Sequence, residues 1–334
     1  MKNKIAIALV VCVLIVAAVF FIFIPPRQNG FGFAFFLYDE SDTFIAEMWQ
    51  SIASSMPEDV YYEVFNAGNS QSIQNRQIVE QIGSNFDVFI INAVDRLAGN
   101  TIVERLSRES TPVIFFNREP LEDAMLNREN VFYVGAAADI MGMQQAEIAA
   151  KFFEGTQTIN VVILKGEHGH QDAEKRTENS INRLRELGFN VNVLATRSAS
   201  WRRQDAYDVM RAIYSQFGES IDLVFSNNDD MALGAIDFLL SAGVFYKGMP
   251  VCEQPFIIVS VDGTPIGLEA VYNGLIFATV HNNIEKQTSA ILTLADYLVN
   301  SRNMENFPYQ ITNGHFIYIR GDIITRENIM DFIQ

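Results

Sequence analysis

Ten short, continuously apolar runs alternate with stretches patterned as helix, and this alternation leaves few folds open. The first five are FGFAFFLY (31–38), YYEVFNA (61–67), DVFIINA (87–93), TPVIFFN (111–117) and NVFYVG (130–135). The second five are INVVILKG (159–166), NVNVLAT (190–196), DLVFSNN (222–228), FIIVSVDG (256–263) and IFATVHNN (276–283). Runs that are apolar throughout suit strands buried on both faces, as in parallel sheets. Between them lie helical patterns such as SIQNRQIVEQIG (72–83) and DAEKRTENSINRLRELG (172–188), the latter closed by Gly188. Two series of about five βα units predict an α/β chain with two doubly wound parallel-sheet lobes. The 334 residues agree, at roughly 150 per domain.

The N-terminus carries a different signal. After Lys2 and Lys4, residues 5–24 are apolar without a charge. At about 1.5 Å per residue this is roughly 30 Å of helix, one bilayer core. The run ends in FFIFIPP, where signal cleavage would want small residues, so an uncleaved signal anchor is expected rather than a cleaved signal. Lysines before the span stay cytoplasmic, which puts the rest outside, on a tether PPRQNG (25–30). Cys12 follows Val11, where a lipoprotein acceptor cysteine would want a small neighbour. Cys252 reads as a small, at least half-buried hydrophobe, and no Cys/His spacing suggests zinc.

Charge removes another class. The formal charge is −16, although the first 27 residues hold Lys2, Lys4 and Arg27 and no acid. So acidic a chain repels phosphate backbones, and no nucleic-acid partner is expected. No helix-turn-helix pattern precedes the first strand, which removes a repressor as well.

Ligands of doubly wound sheets bind beyond the carboxyl ends of the strands. The residues following each run there are Tyr38, Asp39, Asp42 and Phe44; Asn117, Arg118 and Glu119; His170, Asp172 and Arg176; Trp201; Asn227, Asn228 and Asp229; Asp262; and Asn282 and Asn283. Amides, carboxylates and a guanidinium bridge adjacent hydroxyls, and aromatic faces cover C–H patches, so the set suits a polyol. No Gly-rich phosphate loop is present. Taken singly, each Asp or Asn is as readily a turn or helix-cap residue, Asp42 and Asp229 especially, and Trp201 could be packing, as Trp49 is expected to be.

Four strings carry a resemblance: LKGEHGHQDAEKRT (164–177), FFNREP (115–120), SNNDDMALGA (226–235) and VDGTPIGLEAV (261–271). Together they resemble the D-galactose/D-glucose-binding protein family of periplasmic-type sugar-binding proteins, over the chain from about Phe31 to Ile333. The HxDAExR stretch is specific to that family; NDxMAxGA is shared with its wider relatives. The resemblance implies two lobes joined by a three-stranded hinge. One would comprise residues 30–136 plus 282–319 and the other 137–281 plus 320–334, with 1–29 as anchor and tether. Crossovers would fall near Gly135–Ala137, Val280–Asn282 and Ile319–Gly321.

The resemblance also implies a substrate-binding set. Asp42 would serve the sugar 4-hydroxyl, Phe44 and Trp201 would stack on the ring, and Asn117 would contact it from the side of Asp42. His170, Asp172 and Arg176 would grip the ring oxygen, the anomeric hydroxyl and its neighbours, with Asn228, Asp262 and Asn282 around the remaining hydroxyls. Two departures stand out. The family's calcium loop is replaced by FFEGTQTINVV (152–162), which lacks the Asp/Asn series, so no metal or other cofactor is expected. The loop YDESDTF (38–44) reads as two residues longer than the family pattern, which bears on how Asp42 is aimed.

The expectation is a monomeric, extracytoplasmic solute-binding protein, not an enzyme. It would capture D-galactose or D-glucose by lobe closure and deliver it to the permease of an ABC-type importer. The alternative is a membrane-tethered sugar sensor signalling to a chemoreceptor or histidine kinase. A glycosidase using Asp42 and Asp172 would need the two carboxylates to flank one bond.

Overall fold

The computed structural model of the protein describes residues 30–106, 111–126 and 128–333. The apolar run 5–24, and with it the expected membrane anchor and Cys12, lies outside them. Among the described residues no helix is long and apolar enough to cross a membrane.

The chain alternates strand and helix. The first half holds β1 (Phe31–Leu37), α1 (Thr43–Ser54), β2 (Val60–Asn66), α2 (Gln71–Glu80), β3 (Val88–Ile91), α3 (Gly99–Leu106), β4 (Val113–Phe116) and β5 (Val131–Ala136). It continues through α4 (Ala138–Phe152), β6 (Thr158–Lys165), α5 (Gln171–Glu186), β7 (Asn190–Ser198), α6 (Arg203–Phe217), β8 (Leu223–Ser226) and α7 (Asp229–Ser241). The last elements are β9 (Ile257–Asp262), α8 (Pro265–Tyr272), β10 (Ala278–His281), α9 (Ile284–Val299), β11 (Phe316–Ile319) and β12 (Asp322–Thr325).

Two six-stranded sheets result, ordered β11-β5-β4-β3-β1-β2 and β12-β10-β9-β8-β6-β7. All pairings are parallel except β10 with β12. Continuous apolarity has its expected cause. Phe33, Phe35, Val88, Ile90 and Ile114 enter one core while their neighbours Ala34, Phe36, Phe89, Ile91 and Val113 enter another on the opposite face. The second sheet divides in the same way, Val162 and Val224 to one side, Val161 and Phe225 to the other. Trp49 packs edge-on against Phe35 at 5.2 Å, inside the first core.

The chain passes between the sheets after β5, after β10, and between β11 and β12. Gly321 sits in the last passage, where an added Cβ would stand 2.6 Å from the His281 carbonyl oxygen of the neighbouring passage. Two expectations need correction. β2 is an edge strand, so Tyr61, Tyr62 and Val64 are exposed despite an apolar run like those of buried strands. Cys252 is exposed, because it falls in a surface 3-10 turn (Val251–Glu253) that no sheet or helix covers.

Candidate functional site

Between the carboxyl ends of the two sheets lies a small cavity of about 40 Å³, lined by residues of both lobes. Asp42, Phe44, Asn117, His170, Asp172, Arg176, Trp201, Asn228, Asp262 and Asn282 all border it. Thus the structure brings every residue of the sequence-derived set to one place. Tyr38, Thr43, Ile45, Arg118, Asp230 and Thr264 border it too and were outside that set.

On the first lobe, Asp42 caps α1: its Oδ1 accepts from the Ile45 amide at 3.0 Å. Oδ2 accepts from the Tyr38 hydroxyl at 2.5 Å, so Asp42 both caps the helix and borders the cavity. The Arg118 guanidinium lies over the Tyr38 ring, 3.9 Å from its centroid. Burial and the Asp42 carboxylate push the Tyr38 phenol well above its ordinary pKa, fixing it as a donor. Phe44 belongs to both the first core and the cavity wall. Asn117 follows β4 at φ 59°, a left-handed turn that Asn tolerates better than most residues. Its Oδ1 accepts from Asn92 at 3.1 Å.

The second lobe contributes a fixed network. His170 caps α5, its Nδ1 accepting from the Asp172 amide at 3.2 Å. Burial, with Arg118 and Arg176 nearby, lowers its pKa well below the ordinary value. A neutral imidazole that accepts at Nδ1 carries its proton on Nε2, so His170 is a hydrogen-bond donor. Asp172 and Arg176 are both buried and pair at 3.0 Å, four residues apart on one helix face. Arg176 also donates to the Asn227 carbonyl at 2.7 Å and lies 3.7 Å from Asp262. Burial raises the Asp172 pKa, against the pull of Arg176. Asp262 stands well above the carboxylate range, because burial and the Asp229 and Asp42 charges outweigh Arg176 and Asn282.

The remaining members hold one another. Asn282 donates to Asp262 at 3.3 Å and accepts from Gln287 at 2.7 Å. Asn228 caps α7 through the Met231 amide at 3.0 Å and reaches the Trp201 carbonyl at 3.4 Å. Its neighbour Asp229, a cap candidate from the sequence, instead turns into the lobe. There Ser260, Thr264 and Thr279 donate to its carboxylate at 2.5–3.1 Å. Trp201 sits in a turn with Ser200, at φ 67° and 51°, its ring 5.1 Å from His170 and roughly perpendicular to it.

The lobes meet along one flank of the cavity. Arg118 pairs with Glu167 at 2.8 Å, Lys175 with Glu119 at 3.1 Å, and Gln171 donates to the Asn117 carbonyl at 2.8 Å. Elsewhere the lobes oppose acid to acid: Glu47, on α1, is raised to about 7 by burial, by Asp229 and Asp230 of the second lobe, and by Glu285 of its own. Among the described residues no group of three or more His, Cys, Asp or Glu is arranged to hold a metal. The chemistry available is hydrogen bonding from fixed, mostly buried groups, with aromatic faces alongside.

Comparison with known proteins agrees with this architecture. The family described as periplasmic binding protein domain matches residues 33–303. A D-galactose/methyl-galactoside binding periplasmic protein of Haemophilus influenzae is 28% identical over 318 residues, 92% of each chain. Among solved structures, an ABC transporter solute-binding protein of Actinobacillus succinogenes with bound D-allose superposes with a TM-score of 0.78. It is 21% identical, over 90% of this chain and 99% of that one. A Bacillus halodurans protein with bound myo-inositol reaches 0.77 at 24% identity, over 92% and 99%.

Proposed function

The chain belongs to the periplasmic binding protein domain family, and on that premise we propose that it is an extracytoplasmic sugar receptor of an ABC-type importer. Its ligand is a pyranose monosaccharide, D-galactose or D-glucose, held between the lobes and released to a membrane permease. The observation that carries this reading is the convergence of ten polar and aromatic side chains from both lobes on one cavity.

The roles follow from the donor and acceptor state of each group. His170 Nε2–H and the Asn117 amide donate to ring or hydroxyl oxygens. Asp172, paired with Arg176, accepts from one hydroxyl while Arg176 donates to its neighbour, the bidentate arrangement that suits vicinal hydroxyls. Asp262 and Asn282 act together on the far side, and Phe44 and Trp201 cover the two faces of the ring. Asp42 accepts from the 4-hydroxyl through lone pairs not taken by Tyr38 and Ile45. None of these contacts needs a bond to break, so the protein binds and does not catalyse. Lobe closure is driven by contacts that exist only when both lobes touch the sugar.

Titration calorimetry on the full-length protein tests this, with D-galactose, D-glucose, D-xylose, D-allose and myo-inositol, each with and without chelator. Binding of D-galactose or D-glucose near micromolar, about −8 kcal/mol, unaffected by chelator, is expected. Absence of heat with all five sugars from folded protein would overturn the reading.

A further inference from the structure

Two larger hollows flank the cavity. One, of about 310 Å³, runs past His168, Gly169 and Gln171; the other, of about 700 Å³, runs past Ser200, Arg202 and Gln204. Among the described residues Arg118 alone borders all three spaces. It therefore stands where the place a ring would occupy meets the space into which a larger ligand would extend.

The contacts of Arg118 come from both lobes. Arg118 Nη1 donates to the Val94 carbonyl at 2.6 Å within its own lobe, and its plane rests on Tyr38. Nη2 donates across the cleft to Glu167 at 2.8 Å. The guanidinium is buried and its Nε–H has no partner. A buried donor left unmet is costly. Glu167, by contrast, is 43% exposed and borders only the hollows, not the smaller cavity. A rim pair this exposed adds little to fold stability. Its geometric effect is larger, because it holds a planar group across the opening.

We propose that Arg118 is a gate that limits the closed receptor to a single sugar ring. With Arg118 tied to Glu167, the ring is shut in; with the tie broken, the cavity joins the hollows and the ligand exchanges through them. This rests on the sugar-receptor reading and adds to it a size limit and an exit.

The test pairs each monosaccharide with a disaccharide that contains it: D-galactose with lactose and D-glucose with maltose. Affinities come from calorimetry, and rates from stopped-flow tryptophan fluorescence, all on the full-length protein. Wild type takes a monosaccharide and discriminates against its disaccharide. Glu167→Gln, which leaves the cavity wall intact, raises koff about five- to tenfold with a smaller change in kon. High salt raises the wild-type koff and leaves that of the variant unchanged. Arg118→Ala weakens the monosaccharide and brings the disaccharide to within about tenfold of it. Arg118→Lys, which keeps a charge for Glu167, restores the slow koff in part. A wild type that binds lactose or maltose as tightly as the monosaccharide overturns the gate. So do koff and selectivity unchanged within about twofold in Glu167→Gln and Arg118→Ala. A wild type that binds neither monosaccharide overturns the sugar-receptor reading itself, and the gate with it.

Discussion

The Trp201 indole lies directly against the backbone of Gly166: a Cβ placed on that glycine would stand 2.3 Å from Cη2 and Cζ2 of the ring. Two left-handed residues, Ser200 and Trp201, bring the ring there, and the missing side chain lets it lie flat at the cavity edge. Gly166→Ala is therefore a substitution in the site although it touches no ligand. It should tilt the indole and weaken sugar binding about tenfold or more, while urea stability falls by only about 1 kcal/mol. Trp201→Ala, which removes the face outright, should cost roughly 10- to 100-fold. Calorimetry of both variants beside wild type decides it: a Gly166→Ala protein with wild-type affinity would show that the ring's position does not matter.

Asp172 and Arg176 form a buried ion pair, and breaking such a pair strands a charge in low dielectric. Asp172→Asn keeps the shape but leaves Arg176 with the distant Asp262 as its remaining carboxylate within 4 Å. About 3 kcal/mol of stability should go with it, and binding should fall by about 100-fold or more. Parallel denaturation and titration would separate the two losses. Affinity within about threefold of wild type would remove Asp172 from the site.

Asp229 should behave differently, because its four donors all belong to its own lobe. Asp229→Ala would leave Ser260, Thr264 and Thr279 hydroxyls and an amide unmet, at a cost of about 3 kcal/mol or more. Urea midpoints measure it, and an unchanged midpoint would contradict a structural role.

Glu47 sets a pH dependence. Its pKa is about 7 where the lobes oppose Glu47 to Asp229 and Asp230, against an ordinary 4.5. Burial raises Asp230 as well. Separating the lobes removes the facing charges, so closure takes up protons between those two values. Binding should tighten as pH falls from about 8 to about 6, by a few-fold only, since Glu47 is half exposed and screened. For unfolding the sign is the same: the contribution is present below about 4.5 and is lost as pH rises through about 7. Titrations at several pH values should show the trend in wild type and flatten it in Glu47→Gln. His170 does not contribute, because burial holds it neutral throughout that range. A trend of opposite sign would refute the assignment.

Continuous apolarity located ten strands because buried parallel strands leave that trace in one dimension. It overlooked β11 and β12, which flank the short break Arg320–Gly321 and have no helical pattern between them to mark two separate strands. It also could not distinguish β2, since an edge is defined by what fails to pair with it. The ten residues that meet at the cavity were legible because each follows a strand at the carboxyl edge, or matches a string quoted above. Tyr38 and Arg118 also follow strands, but what makes them matter is geometry that the strand pattern does not carry, a local turn for the one and the facing lobe for the other. Tyr38 meets Asp42 only through the turn before α1, and Arg118 meets Glu167 only once the lobes face each other. Cys252 misled for the same reason: a thiol's burial depends on what covers its turn.

The passages of the chain between the two sheets also govern the order in which it can be completed. The sheet that begins at Phe31 is finished by β11, and α9 supplies Ala290, Ile291, Leu294 and Ala295 to the core around Phe35 and Ile90. A ribosome extruding the chain from its N-terminus holds the first lobe uncovered until almost the whole sequence has emerged. Neither lobe is completed before the C-terminal strands arrive, β11 for the first sheet and then β12 for the second. For a receptor that works beyond the membrane, that order keeps the nascent chain threadable until its final strands arrive.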